Sequence, residues 1–139
     1  IRAYGRGGVD LHELWADGAY AHLGLAVPRF PNFFLLYGPN TNLGHNSILF
    51  MIEQQVGYVL SLLDRLRDSG ARAVEPTDEA MAAFRAEIDE AAARTVWAED
   101  CHSWYKTESG RITNNWPDYT VKYRRRLRRP DLSEWAFSG

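Results

Sequence analysis

The sequence predicts an α/β fold, mixed α+β for these residues taken alone, and three observations carry that reading. A continuous apolar run, Phe33-Phe34-Leu35-Leu36-Tyr37, ends in a polar turn, Gly38-Pro39-Asn40-Thr41-Asn42. A long stretch with helical apolar spacing follows that turn. Further on, aromatic and β-branched clusters broken by glycine and proline suit short antiparallel strands.

Residues 1–32 bear glycine and proline and are weakly periodic; residues 10–15 make one helical turn or two, ended by Gly18. The 33–37 run suits a strand buried on both faces. Ile48, Ile52, Val56, Val59, Leu63 and Leu66 recur at steps of four, four, three, four and three and draw one apolar stripe. Ser47 or Asn46 can cap this helix and Gly70 can end it. Residues 71–75 are a candidate strand before Pro76. Thr77 then caps a second helix, with Asp78 and Glu79 at the positive end of its dipole. Its stripe of Met81, Phe84, Ile88, Ala91 and Thr95 or Val96 is small and alanine-rich, which predicts a helix on the surface. Residues 101–106 read as a strand, 108–111 as a turn and 112–116 as a returning strand. Pro117 or Asp118 opens a short basic helix over 119–128, closed by Pro130. There is no internal repeat and no boundary between two independently folding units.

With 139 residues, 45% of them hydrophobic, the chain can bury one core. A net charge of -2 argues against a general nucleic-acid or membrane partner. One cysteine, Cys101, excludes an internal disulfide framework and fits a reducing compartment, so the expected location is cytoplasmic. No stretch approaches a membrane-spanning helix. The sequence opens at Ile1 without an initiator methionine, which suggests a fragment.

Between Phe30 and Ile52 there is no Asp, Glu, Lys or Arg. A strand entering a charge-free turn at a helix start can present bare backbone N–H groups to a ligand oxygen. A plain strand-to-helix turn, with Asn and Thr capping locally, accounts for the same pattern. A phosphate loop does not: the lysine is missing, and Gly38 and Gly44 stand one residue too far apart. His45 is either a cofactor contact or a solvated loop histidine. His12, His22, His45 and His102 lack metal-ligand spacing, so no metal site is expected. Cys101 has no nearby base in sequence and reads as a packed thiol, and Trp97, Trp104 and Trp116 read as core. Lys122, Arg124, Arg125, Arg126, Arg128 and Arg129 make a basic surface; docking onto the acidic remainder accounts for it better than nucleic-acid binding.

Several segments taken in order carry a family resemblance. They are Arg6-Gly7-Gly8, Phe30-Pro31-Asn32-Phe33-Phe34, the 38–47 turn with Glu53 after it, and Val74-Glu75-Pro76-Thr77. Cys101-His102-Ser103-Trp104-Tyr105, Gly110 to Pro117, and Tyr123-Arg124-Arg125-Arg126 complete the set. Together they resemble the C-terminal third of Baeyer–Villiger-type flavin-dependent monooxygenases, close to the hydroxyacetophenone monooxygenase branch. The resemblance covers essentially the whole chain.

It implies a two-dinucleotide-binding-domain flavoprotein that uses FAD, NADPH and oxygen to make a flavin peroxide, which oxidises a ketone or a soft heteroatom. Residues 1–139 would be a single C-terminal fragment, with 1–70 giving the last strand and long helix of the FAD-binding domain and 71–139 a C-terminal extension. The resemblance places Gly38, Asn42 and Leu43 against the flavin, Thr41 and Leu43 along the substrate pocket, and Trp104 against NADPH. No catalytic residue is assigned. Both Gly-x-Gly-x-x-Gly fingerprints are absent from the sequence, so this segment alone should be inactive, with neither cofactor expected bound. Arg29 stands before Phe30-Pro31-Asn32 where the resemblance implies glycine. The expected partners are a ketone or heteroatom substrate and oxygen, with no nucleic acid and no membrane. The 33–37 strand, stripped of its neighbours, would favour self-association. The other reading is a stand-alone, non-enzymatic interaction module that docks through its basic helix.

Overall fold

The expected long helix forms, but it turns a different face inward. In the computed structural model, which describes residues 2–43, 47–94, 107 and 110–139, a one-turn helix α1 (Leu11–Leu14) precedes α2 (Ile48–Ser69). Asp10 caps α1, as its side chain accepts from His12 N–H. Gly70, at φ 71°, ends α2 in the left-handed conformation that glycine adopts without a Cβ penalty. The face of α2 that enters the core carries Met51, Gln55, Tyr58 and Leu62. The predicted stripe is displaced: Ile48, Val56 and Leu63 are exposed, as are Leu49 and Leu60. The physical reason is that Gln55 and Tyr58 find hydrogen-bond partners inside, so two polar-tipped residues occupy positions that hydrophobicity alone gives to aliphatic ones.

Strand β1 (Ala73–Pro76) and helix α3 (Asp78–Ala93) lie where the sequence places them. Thr77 caps α3, its Oγ1 accepting from Ala80 N–H at 3.1 Å. Although alanine-rich, α3 sends Met81, Phe84 and Ile88 into the main core and leaves its other side to solvent. Helix α4 (Thr120–Arg126) is held by Tyr123 and Leu127, both buried. Among the described residues its cations pair close by in sequence, Lys122 with Asp118 and Arg126 with Glu134. After a 3-10 turn (Leu132–Glu134) comes strand β2 (Trp135–Ser138).

The two strands pair antiparallel, Val74 opposite Phe137 and Pro76 opposite Trp135. The sequence does not predict this pairing. Residues 101–106 lie outside the described residues, and 112–116 form no strand, only an isolated parallel bridge from Asn115 to Asn42. The free edge of β1 is taken by one residue, Asn32. Its backbone N–H donates to Val74 O, its Oδ1 accepts from Val74 N–H, and its Nδ2 donates to Arg72 O.

The 33–37 run is not a strand. Leu35 N–H donates to Leu25 O, Leu36 is 52% exposed, and Tyr37 bends the chain at φ 57°. The segment lies against residues 21–28, a loop buried throughout. Burying a loop demands internal partners for its backbone. Here His22 N–H donates to Ala26 O, and Leu25 and Ala26 N–H both donate to His22 O. The residue 29 anomaly has a visible consequence: Arg29 sits at φ 72°, a conformation suited to glycine, and its N–H donates to Glu75 Oε2. The other carboxylate oxygen of Glu75 accepts from Arg6 at 2.7 Å.

His22 is fully buried, edge-on to Phe84 and Trp135, with Nε2 3.1 Å from Glu134 Oε2. Burial pushes its pKa down and outweighs the opposing pull of the Glu134 carboxylate. A histidine whose folded pKa lies below its unfolded value near 6.5 lends full stability above that pH. The stability is lost as pH falls toward the folded pKa. Urea unfolding of the chain between pH 7.5 and 5 should therefore show stability falling below about pH 6.5. His22→Gln should flatten the fall; an equal slope in both proteins would mean that His22 is not its source.

Candidate functional site

The candidate segment is the turn from Tyr37 to Leu43, held largely from inside. Tyr37 N–H donates to Gln55 Oε1 at 2.8 Å. Gln55 Nε2 donates to the Tyr123 hydroxyl at 2.9 Å, and that hydroxyl donates to Leu23 O at 2.7 Å. Burial raises the Tyr123 pKa, so the phenol keeps the proton this chain of bonds requires.

Gly38 packs backbone against backbone. A Cβ at residue 38 would come 2.3 Å from Gly24 O, and one at Gly24, itself at φ 69°, would come 2.1 Å from Thr41 Cγ2. Asn40, at φ 58°, is buried; its N–H donates to Thr113 O and its Nδ2 to Ile112 O at 2.8 Å. Thr41 is fully buried, and its hydroxyl donates to Gly38 O at 2.7 Å. Asn42 reaches the surface in part. Its N–H donates to Asn114 O, its Nδ2 to Asn115 Oδ1 at 2.8 Å, and its Oδ1 accepts from the Tyr37 hydroxyl. Leu43 is half-buried against the main core.

Thus the amides of Tyr37, Asn40 and Asn42 already have protein acceptors. The expectation that the turn itself offers bare N–H groups does not hold for these three. The first-turn amides of α2 lack an acceptor one full turn back, and of these Phe50 N–H donates to Ser47 O at 3.2 Å. Ser47 opens that turn with no side-chain bond to the helix amides, and the first turn contains no acid. The helix start therefore favours negative charge, by about 0.3–1 kcal/mol in the ordinary case.

Of the residues singled out in the sequence, Gly38, Thr41, Asn42 and Leu43 come together here. Gly38 and Thr41 serve the packing of the turn, while Asn42 and Leu43 retain outward surface. Trp104, Cys101, His102, Trp97 and His45 lie outside the described residues. Sequence reasoning missed Gln55, Tyr123 and Asn115. The signal was present for one of them: a glutamine within a helical apolar face is a polar group that must find a partner. Among the described residues no group of three or more His, Cys, Asp and Glu side chains could hold a metal. No helix among them is long and apolar enough to cross a membrane.

No protein-family model matches the chain. It is 38% identical over 144 residues to an FAD-binding monooxygenase of Aspergillus niger, covering 100% of this chain and 24% of that protein. It is 40% identical over 136 residues to a Baeyer–Villiger monooxygenase of Streptomyces coelicolor, covering 96% of this chain and 26% of that protein. Among solved structures, an oxidized steroid monooxygenase bound to NADP superposes with a TM-score of 0.83 at 29% identity. That match covers 99% of this chain and 26% of the other. The chain is homologous to FAD-binding monooxygenases. Within that class, its relatives include Baeyer–Villiger monooxygenases, and it spans about a quarter of the length of the curated relatives it matches.

Gly24→Ala tests the packing of the turn. The left-handed φ and the clash with Thr41 together should cost about 2–5 kcal/mol, measured as a lower urea midpoint. Gly57→Ala, where a Cβ meets nothing within 4 Å, should be neutral or mildly stabilising.

Proposed function

We propose that the chain is the C-terminal segment of an FAD- and NADPH-dependent, Baeyer–Villiger-type monooxygenase of the hydroxyacetophenone branch, active in the cytoplasm on a ketone or a soft heteroatom. The observation that carries the reading is similarity across the whole chain combined with a charge-free turn and helix start at its most distinctive segment. The residues present fit one end of a flavin. The acid-free start of α2 suits the electron-rich pyrimidine edge, and Asn42, five residues before Ser47, offers a side-chain amide. Nothing in the sequence fits the pyrophosphate, which a Gly-x-Gly-x-x-Gly loop would hold.

FAD, when bound, supplies the redox chemistry with NADPH and oxygen. The residues of this chain orient and enclose. Asn42 is fixed by Tyr37 and Asn115 before any ligand arrives, so it loses little freedom on binding. Leu43 contributes apolar wall to the substrate pocket. Thr41, fully buried, shapes the wall from behind rather than lining it. Trp104 remains our candidate for the NADPH contact.

One feature favours the second reading, an interaction module. An open groove of about 560 Å³ lies between α2 and α4, lined by Glu53, Gln54, Val121, Arg124, Arg125 and Arg128. A stand-alone module would use it to dock an acidic partner.

Three measurements test the proposal. Purified 139-residue chain should be colourless, and a stoichiometric flavin spectrum would overturn that. In the full-length enzyme Leu43→Ala should keep its flavin and shift discrimination between ketones by about 1–3 kcal/mol at most. Thr41→Pro removes a backbone N–H and constrains the turn, and should lower flavin occupancy or divert NADPH oxidation to hydrogen peroxide. If Leu43→Ala leaves selectivity unchanged while Thr41→Pro keeps full flavin and coupling, this turn is not a flavin wall.

A further inference from the structure

We infer that Gln55 and Tyr123 are positioning residues for the flavin-facing turn, acting through Tyr37 on Asn42; the inference rests on the reading above. Gln55 is fully buried, and both ends of its amide are used. The bonds allow only one polarity. Tyr37 N–H can only donate, so Oε1 must face it. Nε2 then donates to the Tyr123 oxygen, and the single phenolic proton goes to Leu23 O. Both ends of this relay hold a non-glycine residue in the left-handed region, Leu23 at φ 55° and Tyr37 at φ 57°. Each is followed by the glycine, Gly24 or Gly38, at which the two backbones touch.

Tyr37 is thereby gripped twice, at its amide by Gln55 and at its hydroxyl by Asn42. The relay sets the Tyr37 backbone, Tyr37 aims its ring, and the ring hydroxyl fixes Asn42. A buried apolar pair at 55 and 123 could fill the same space, but it could not specify that geometry.

The experiment uses the full-length holoenzyme with Gln55→Met, Gln55→Glu, Tyr123→Phe and, as control, Tyr58→Phe. Tyr58 is also buried on α2, but its hydroxyl accepts from Trp135 Nε1, and among the described residues no hydrogen bond joins it to the turn. Four readouts are taken: flavin content, hydrogen peroxide released per NADPH consumed, KM and kcat for 4-hydroxyacetophenone, and amide exchange of a peptide spanning 37–43. Gln55→Met and Tyr123→Phe should each raise peroxide release per NADPH at least threefold and speed exchange across 37–43. Tyr58→Phe should lower the melting temperature and change neither.

Gln55→Glu adds a pH signature. An ionised carboxylate there competes with Leu23 O for the one phenolic proton and leaves an acceptor unsatisfied. A protonated carboxyl donates to Tyr123 as the amide did, and burial favours that form. Coupling in Gln55→Glu should therefore recover as pH falls, a limb absent from wild type and from Gln55→Met. Folded Gln55→Met and Tyr123→Phe with wild-type coupling and exchange would overturn the relay, as would loss of coupling in Tyr58→Phe equal to theirs. A wild-type holoenzyme with neither flavin nor NADPH-driven oxygenation would instead sink the underlying reading of the site.

Discussion

Two stretches of backbone meet at Gly24 and Gly38 with no side chain between them, and the arrangement of the turn depends on that contact. It brings the buried 21–28 loop against the turn, and it leaves a space that the Thr41 methyl fills. Neither backbone could approach so closely with a Cβ present. The approach also obliges Leu23 and Tyr37, the residues just before, to adopt left-handed backbone, as Arg29, Asn32 and Asn40 do nearby. Non-glycine residues in that region cost about 1–2 kcal/mol each. Five within residues 23–40 persist because hydrogen bonds over-determine them: Tyr123 on Leu23, Gln55 on Tyr37, Glu75 on Arg29, Val74 on Asn32, Thr113 on Asn40.

Those partners come from distant parts of the chain. Residues 112–116 serve Asn40 and Asn42, β1 serves Asn32 and Arg29, and α4 reaches the turn through Tyr123 and Gln55. The turn is therefore assembled by elements that follow it in sequence, and it acquires its shape only when they dock. His22 belongs to the same logic: Phe84 of α3 and Trp135 of β2 enclose its ring, and Glu134, bonded to its Nε2, pairs with Arg126 at the rim.

The helices were legible because their signals are local. Thr77 before Asp78, Gly70 after Ser69 and the spacing of Met81, Phe84 and Ile88 need no tertiary knowledge. The inward face of α2 was not legible, because Gln55 and Tyr58 are buried for partners more than sixty residues away. The 33–37 run has a strand's composition but, among the described residues, no neighbouring strand to pair with, and Tyr37 breaks its extension. Strand β2 carried a readable alternation, Trp135 and Phe137 inward against Ala136 and Ser138 outward, which went unrecognised for its brevity. In the candidate site, only resemblance singles out Asn42. What holds Asn42 was not legible, since Asn115 and Tyr37 meet it only in three dimensions.

The pairing of β1 with β2 has a consequence for the order of events during synthesis. Ala73 faces Ser138 and Pro76 faces Trp135, so β1 has no strand partner until some sixty further residues have been translated. In the interval, α2 and α3 can coil from local signals alone, but Glu75 and Val74 have only the earlier segments, through Arg6, Arg29 and Asn32, to hold them. A nascent chain would thus present a short, unmatched strand edge flanked by two finished helices. A ribosome stalled before the codon for Trp135 would display a sticky intermediate, the kind of species that chaperones recognise.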